Sequence, residues 1–450
     1  MPSSPPAEAP LLRFALPDGR PATLLVGGAS TVVSIDDTLV SSWDLAGRPY
    51  ALVRETGTYR RGLDGGLLHK REATAEAPRL RRRLGAAEGE AIVEAARREA
   101  EGALTALSSR GTSVGPVPRD SLVTPRSPAR QCDEGSAISA DPSGPGPRGS
   151  LGMTSSLAGE AMSRLRLVAA MDDAALRDDA ARFLAASGPV GILPPDQYLA
   201  LVVRITEGCS WNACAFCRLY RDVPFRGKRP DELLVHVAAL RAYFGPSIAL
   251  RRSVFLGDAN ALCLAHDRLL PLVEVVAREL PGAPLFSFVD AWTGHRKTAA
   301  EWCDCAGLGL RRVYLGLETG DPDLLAWLEK PGSPRDAVDL VASLHEAGIA
   351  AGVIVLLGAG GERFAAAHQQ GTAAVLSAMR LGPDDLVYFS EYVDEPGLAY
   401  GGGAAAAPDV HPLSPARNAE SRRAILDGFR PADPARRPRT ATYDIREFVY

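Results

Sequence analysis

Between residues 201 and 391, six short apolar runs alternate with amphipathic helical stretches, and no other feature of this 450-residue chain constrains its fold so strongly. The runs fall at 201–205, 253–257, 285–289, 312–317, 352–357 and 387–391. A strand followed by a helix and another strand returns parallel to the first by a right-handed crossover. Six such units predict an α/β fold, either an open doubly wound sheet or a barrel-like (β/α) array. In both, ligands bind at the carboxyl ends of the strands. The clearest helix starts at Ser333-Pro334, a cap followed by proline at the first helical position. It shows Val338, Val341 and Leu344 at helical spacing and stops at Gly348.

The flanks read differently. Residues 11–70 hold short apolar runs separated by Asp18-Gly19, Gly47-Arg48 and Asp64-Gly65, a pattern of strands and tight turns. A helical stretch follows at 86–107. Half of residues 109–156 are Gly, Pro or Ser and none is aromatic, so this stretch cannot bury enough surface to offset chain entropy. Two more helical stretches, 162–171 and 173–186 with Asp172 as a cap, lead to Pro194-Pro195, where a helix must end. The tail has a Gly/Ala run at 401–407, a helical stretch at 415–429 and a strand-like end at 443–450. The expected organisation is therefore a small β-rich N-terminal domain with a trailing helix (1–108), a flexible linker (109–156), an α/β core with leading helices (157–400) and a C-terminal extension (401–450).

Apolar residues make up 46% and charged residues 23%, enough for a sizeable core. With 50 Lys+Arg against 54 Asp+Glu the formal net charge is -4, which excludes binding to nucleic acid or an anionic membrane by bulk charge. Nucleic-acid and membrane partners are not expected. The start MPSSPPAEAP shows no secretory pattern, and seven cysteines, an odd number, form no disulfide framework. A cytoplasmic, reducing compartment is the expectation.

Three of those cysteines are decisive. Cys209, Cys214 and Cys217 form a C-x4-C-x2-C loop directly after the first core strand. Three thiolates on one short loop hold a soft metal centre, either one zinc or three irons of a [4Fe-4S] cube. A zinc would need a fourth ligand from Cys263, Cys303, Cys305 or a distant histidine, and would fit a (β/α) barrel hydrolase or lyase. An electron-carrying or sensing cluster also needs a fourth cysteine, for which Cys263 is the candidate. With no fourth ligand, one iron stays open to a small molecule bearing an amine and a carboxylate.

Beside these readings stands a resemblance. The loop, with Phe216 before its third cysteine, resembles the radical S-adenosylmethionine (radical SAM) superfamily. Three motifs arrive in that superfamily's order: Phe255-Leu256-Gly257-Asp258-Ala259-Asn260, Tyr314-Leu315-Gly316-Leu317-Glu318-Thr319-Gly320, and Leu357-Gly358-Ala359-Gly360-Gly361-Glu362. The resemblance spans about 194–400. It is nearest to the branch holding the elongator catalytic subunit, the tRNA methylthiotransferases and oxygen-independent coproporphyrinogen oxidase. The loop has one residue more than the usual C-x3-C-x2-C, and Gly257-Asp258-Ala259-Asn260 stands where Gly-Gly-Glu is usual. No cysteine precedes Cys132 or follows Cys305, so no second cluster is expected.

The resemblance implies a partial (β/α)6 TIM-like barrel and a [4Fe-4S] cluster on Cys209, Cys214 and Cys217. It implies S-adenosylmethionine cleaved reductively to a 5′-deoxyadenosyl radical that acts on an unassigned substrate, with electrons from an external flavodoxin- or ferredoxin-like donor. Gly257, Asp258, Ala259 and Asn260 would meet the methionine end, Glu318 the ribose or amine, and Gly358 and Gly360 the adenine. Other residues keep two readings each. Arg221 and Arg226 meet an anionic substrate or surface carboxylates, His368 faces the core or the substrate, and Asp290 and Trp292 face the site or cap a strand. Cys303 and Cys305 pack in a helix or pair on a metal, Arg81 to Arg83 form a solvated patch, and Cys132 is a free thiol.

Overall fold

The computed structural model describes residues 10–73, 80–109, 152–393 and 410–450. Two compact units emerge: Met1–Ala186 with Arg241–Leu250 and Val449–Tyr450, and Ser187–Leu240 with Arg251–Phe448.

In the first unit, eight strands form an antiparallel sheet in chain order: β1 (Leu11–Ala15), β2 (Pro21–Val26), β3 (Ser30–Ile35), β4 (Leu39–Asp44), β5 (Pro49–Arg54), β6 (Gly57–Arg61), β7 (Leu67–Arg71) and β8 (Leu80–Arg83). The three turn pairs fall between strands, as their chemistry predicts. Alternation decides which face is buried: Leu12, Phe14, Leu24, Val26, Val33 and Ile35 share a core with the helices. Helix α1 (Ala86–Ser109) lays Val93, Ala96, Ala100, Ala103 and Ala106 on that core. Their small side chains leave room for a neighbouring helix to approach closely. Helices α2 (Gly152–Ala169) and α3 (Asp173–Ser187) add Ala161, Leu165, Val168 and Leu176 to the same core. They therefore close the sheet's apolar face, which an alanine stripe alone leaves underfilled, and do not lead the barrel as the sequence suggested. The basic run 80–83 is β8, and the linker with Cys132 lies outside the described residues apart from Ser109 and the first turn of α2.

The second unit is built on seven parallel strands, again in chain order: β9 (Leu201–Arg204), β12 (Val254–Gly257), β13 (Leu285–Phe288), β14 (Leu310–Glu318), β15 (Ala350–Leu357), β16 (Leu386–Glu391) and β17 (Arg439–Tyr443). A two-stranded ribbon, β10 (Thr206–Glu207) with β11 (Arg226–Gly227), follows β9. The connecting helices are α4 (Pro230–Phe244), α5 (His266–Glu279), α6 (Ala291–Gly294), α7 (Ala299–Gly307), α8 (Pro322–Trp327), α9 (Pro334–Glu346), α10 (Gly361–Ala378) and α11 (Pro415–Gly428). Sequential parallel order is that of a partial TIM barrel. The six expected strands are present and β17 adds a seventh, pairing from Leu386↔Arg439 to Ser390↔Tyr443. The tail thus completes the sheet with residues 439–443, ahead of the strand expected at 443–450; the Gly/Ala run lies outside the described residues. Helix α9 starts at the predicted cap, where Ser333 and Asp336 form a reciprocal capping box.

At the amino ends of the strands, Asp196 accepts hydrogen bonds from Tyr314 Oη (2.5 Å), Tyr388 Oη (2.8 Å) and Arg312 Nη1 (3.1 Å). With Phe255, Phe288 and Tyr314 in edge and tilted contact, this plug closes the lower end of the inner face. The segment Pro230–Leu250 is long and apolar enough to cross a membrane by length and composition. It carries α4, however, whose Leu233, Val237 and Leu240 are buried in the core.

Candidate metal centre at the carboxyl ends of the strands

Gly208 opens the cysteine loop at φ +73°, and a Cβ there would lie 2.5 Å from Val223 O, so only glycine lets the two ends of the loop run this close. Below it, Glu207 accepts from Arg226 and Lys228 and locks the ribbon shut. Within the loop, Asn212 turns the chain at φ +52°, donating its side-chain amide to Tyr220 O (2.7 Å) and its N–H to Cys209 Sγ (3.4 Å). Arg221 donates to Cys214 O (3.0 Å) and Cys217 O (3.3 Å). Two bonds staple the loop to the segment after α8: Ala215 N–H to Leu328 O and Trp211 Nε1 to Glu329 O. Phe216 packs against Leu324, Leu328, Leu356, Ala359 and Phe364.

All three thiols are half-buried. Burial pushes Cys214 up to about 12 and raises Cys217 as well, while the nearby Lys330 ammonium pulls both the other way. These thiols ionise only against a cation that compensates the charge. Among the described residues, no three His, Cys, Asp or Glu side chains converge to hold a single metal ion. Burial raises the Cys263 thiol to about 11; it hydrogen-bonds to Ser210, within the cysteine loop, and stands close enough to feel Cys209. Cys303 is exposed on α7 and Cys305 buried behind it.

The end of β12 braces this loop. Asp258 Oδ2 accepts from Arg204 Nη2 (3.1 Å), Arg204 Nε (3.2 Å) and the Gly208 N–H (3.1 Å), so its carboxylate is committed inside the protein. Asn260 is 2% exposed and donates to Ser210 Oγ (2.7 Å) and to Asp290, while its Oδ1 accepts the Asp290 N–H (3.0 Å). Asp290 in turn caps α6 through the Thr293 N–H. Trp292 stands edge-on to Trp211 at 5.7 Å, beneath the Arg296 guanidinium.

Glu318 ends β14 at φ +58°, nearly buried, with Oε1 3.2 Å from Lys330 Nζ. Burial alone would depress the Lys330 ammonium; Glu318, Cys214 and Asp290 instead hold it above the usual lysine range. Sequence reasoning missed Lys330 and Arg204. The available signal was a lone lysine in the otherwise apolar Leu324 to Leu328 neighbourhood and an arginine closing an apolar strand.

The glycine turn after β15 meets the chain's own atoms. A Cβ on Gly358 would lie 2.6 Å from Asn418 Oδ1, one on Gly360 2.7 Å from Phe364 Cβ, and one on Gly361 2.4 Å from His411 O. His368 is 3% exposed, with Nδ1 2.9 Å from Thr319 Oγ1, which places it in the core. Arg226 is taken up by Glu207 and Glu232, and Arg82 by Glu88. The structure therefore gathers the cysteine loop, Gly257 to Asn260, Asp290, Glu318 and Lys330 at one end of the sheet, with the glycine turn joined through Phe216 and Ala359.

No curated protein matches the chain. Among solved structures it is similar to the radical S-adenosylmethionine methyltransferase TsrM from Kitasatospora setae, at 17% identity and TM-score 0.33, covering 43% of this chain and 36% of that one. It is also similar to coproporphyrinogen III oxidase (HemN) from Escherichia coli, described as a radical SAM enzyme, at 15% identity and TM-score 0.38, covering 54% of each chain. The FeFe-hydrogenase maturase HydG from Carboxydothermus hydrogenoformans is similar at 15% identity and TM-score 0.34, covering 58% and 57%. The chain thus spans between a third and three fifths of the length of these structures. The Radical SAM superfamily model matches residues 203–366, the stretch that runs from β9 into α10 and contains the three loop cysteines, Glu318 and Lys330. Residues 203–366 of this chain carry a Radical SAM superfamily domain.

Proposed function

We propose that the chain is a radical SAM enzyme that holds one [4Fe-4S] cluster on Cys209, Cys214 and Cys217 and binds S-adenosylmethionine beside it. The observation that carries this reading is the meeting of three loop thiols with the Glu318–Lys330 pair at the carboxyl ends of the strands. The donor set fits: three half-buried thiols and a buried cation near Cys214 to offset negative charge. Held by these three cysteines, a cluster would supply the one-electron reduction that cleaves S-adenosylmethionine to methionine and a 5′-deoxyadenosyl radical.

The chain's own residues bind, orient and exclude water. Backbone groups of Gly257 to Asn260 receive the methionine end, because the Asp258 side chain is already spent on Arg204 and Gly208. Glu318 accepts from a ribose hydroxyl or the amine, held in place by Lys330. Backbone at Gly358 and Gly360 lies toward the adenine. Phe216 with its apolar neighbours keeps the loop's inner side dry, as a reactive radical requires. Electrons come from an external low-potential donor, and the substrate is unassigned.

Anaerobic reconstitution with metal analysis tests the cofactor. About four irons with matching sulfide per chain are expected. One zinc per chain and no visible absorption would overturn the reading.

A further inference from the structure

The loop that carries the three cysteines is held from two sides. From Trp211 onward it hangs on Arg221, which donates to Cys214 O (3.0 Å) and Cys217 O (3.3 Å), and on the bonds from Ala215 N–H to Leu328 O and from Trp211 Nε1 to Glu329 O. None of these bonds ends on Cys209 or on its two neighbours. That part of the loop is held instead by the segment after β12. The Asp258 N–H donates to Thr206 Oγ1 (3.1 Å), the Gly208 N–H donates to Asp258 Oδ2 (3.1 Å), and Asn260 Nδ2 donates to Ser210 Oγ (2.7 Å). Cys209 therefore sits between Gly208 and Ser210, each tied by a side chain of the same short stretch.

Both ties are anchored at their far ends. The Asp258 carboxylate also accepts from Arg204 Nη2 and Nε, and Arg204 Nη1 goes on to Ser187 O (3.4 Å), so neither group is free to swing. Asn260 donates to the Asp290 carboxylate and accepts the Asp290 N–H, while Asp290 Oδ1 holds the Thr293 N–H at the start of α6 (2.8 Å). Arg204, Asp258 and Asn260 are all buried. A buried polar network with its members paired rigidifies the chain and specifies one arrangement. A second glycine in place of Asp258 would have no carboxylate to offer Gly208 or Arg204.

Resting on the radical SAM reading above, we propose that Asp258 and Asn260 are positioning residues. Their side chains set Cys209, and the iron it would hold, against the stretch whose backbone receives the methionine end of S-adenosylmethionine. One segment thus keeps a cluster ligand and the cofactor seat in register, while Arg221 and the Leu328–Glu329 staples hold Cys214 and Cys217 separately. A misplacement of about 1 Å can cost a reaction about a hundredfold, so such ties act on the chemistry without touching the reacting atoms.

Removing the Asp258 carboxylate would leave the Arg204 charge buried and unpaired, so the test runs through Asn260→Ala and Ser210→Ala, with Ser210→Thr keeping the hydroxyl. In the apoprotein, iodoacetamide labelling of Cys209 is read by peptide mass spectrometry against Cys217 of the same chain. The ratio should rise at least about threefold in both alanine variants and return to the native value in Ser210→Thr. After reconstitution, the alanine variants should keep about four irons per chain. They should nevertheless bind S-adenosylmethionine at least about tenfold more weakly and lose much of the change it brings to the EPR signal of the reduced cluster. A merely structural role would lower the melting temperature and leave that EPR response as in the native chain. An unchanged labelling ratio, or an unchanged EPR response in the iron-loaded variants, would overturn the proposal. A native chain with no cluster, or with no EPR response to S-adenosylmethionine, would sink the radical SAM reading and the proposal with it.

Discussion

Glu318 reaches Lys330 only because residue 316 is glycine: a Cβ there would lie 2.2 Å from Glu318 Oε1 and 3.0 Å from Lys330 Nζ. Gly316→Ala should therefore displace the carboxylate and weaken S-adenosylmethionine binding at least about tenfold by equilibrium dialysis, with iron content unchanged. An unaltered affinity would remove Glu318 from the cofactor site. Cys263 makes a second residue-level prediction. Hydrogen-bonded to Ser210 and outside the proposed ligand set, it should be replaceable: Cys263→Ala should retain full iron content, and loss of iron would instead indicate the four-cysteine carrier. His368 makes a third. Burial pushes its pKa down to about 4 from an ordinary 6.5, so the folded state resists its protonation. Its stabilising contribution is complete above pH 6.5 and is lost as pH falls toward 4. The full effect is roughly 3 kcal/mol by linkage. Denaturation across that range should be less pH-sensitive in His368→Gln, and equal slopes in the two proteins would contradict the assignment. The cysteines were readable in the sequence because three ligands sit on one loop. Arg204 and Lys330 were not, because their partners lie 54 and 12 residues away and only the fold brings them together.

Elements were legible where their signals are local. The start of α9 follows from Ser333-Pro334 and Asp336, which act within one turn. The parallel strands of the core follow from apolar runs buried on both faces. Elements whose identity depends on distant neighbours were misread. Helices α2 and α3 carry an ordinary amphipathic pattern that does not say which core it completes, and they complete that of the antiparallel sheet. Strand β17 reads as polar because it is an edge strand, with Arg439, Thr440 and Thr442 exposed, and the apolar run after it drew the prediction too far along the chain. The alanine stripe of α1 offers a test at this scale. Ala100 is completely buried, so Ala100→Leu must overpack the core around α1, costing about 1–3 kcal/mol in denaturant unfolding. A neutral substitution would mean that this face of α1 is not packed in the core.

For the whole molecule, composition set limits without indicating a role. Near-balanced charge excluded bulk electrostatic binding, and the apolar fraction promised a core. Function became legible through order along the chain: a cysteine loop, then three strand-end motifs, which a sequential parallel sheet must deliver to the same end. The N-terminal sheet carries no comparable signal, and the substrate is not written in the Radical SAM domain, since one fold supports many chemistries. The most direct test of the central claim is 5′-deoxyadenosine released when the reconstituted, reduced chain meets S-adenosylmethionine under anaerobic conditions. The account predicts release from the native chain and none from Cys214→Ala, which should also fail to assemble the cluster. An intact, reducible cluster that releases no 5′-deoxyadenosine would contradict it.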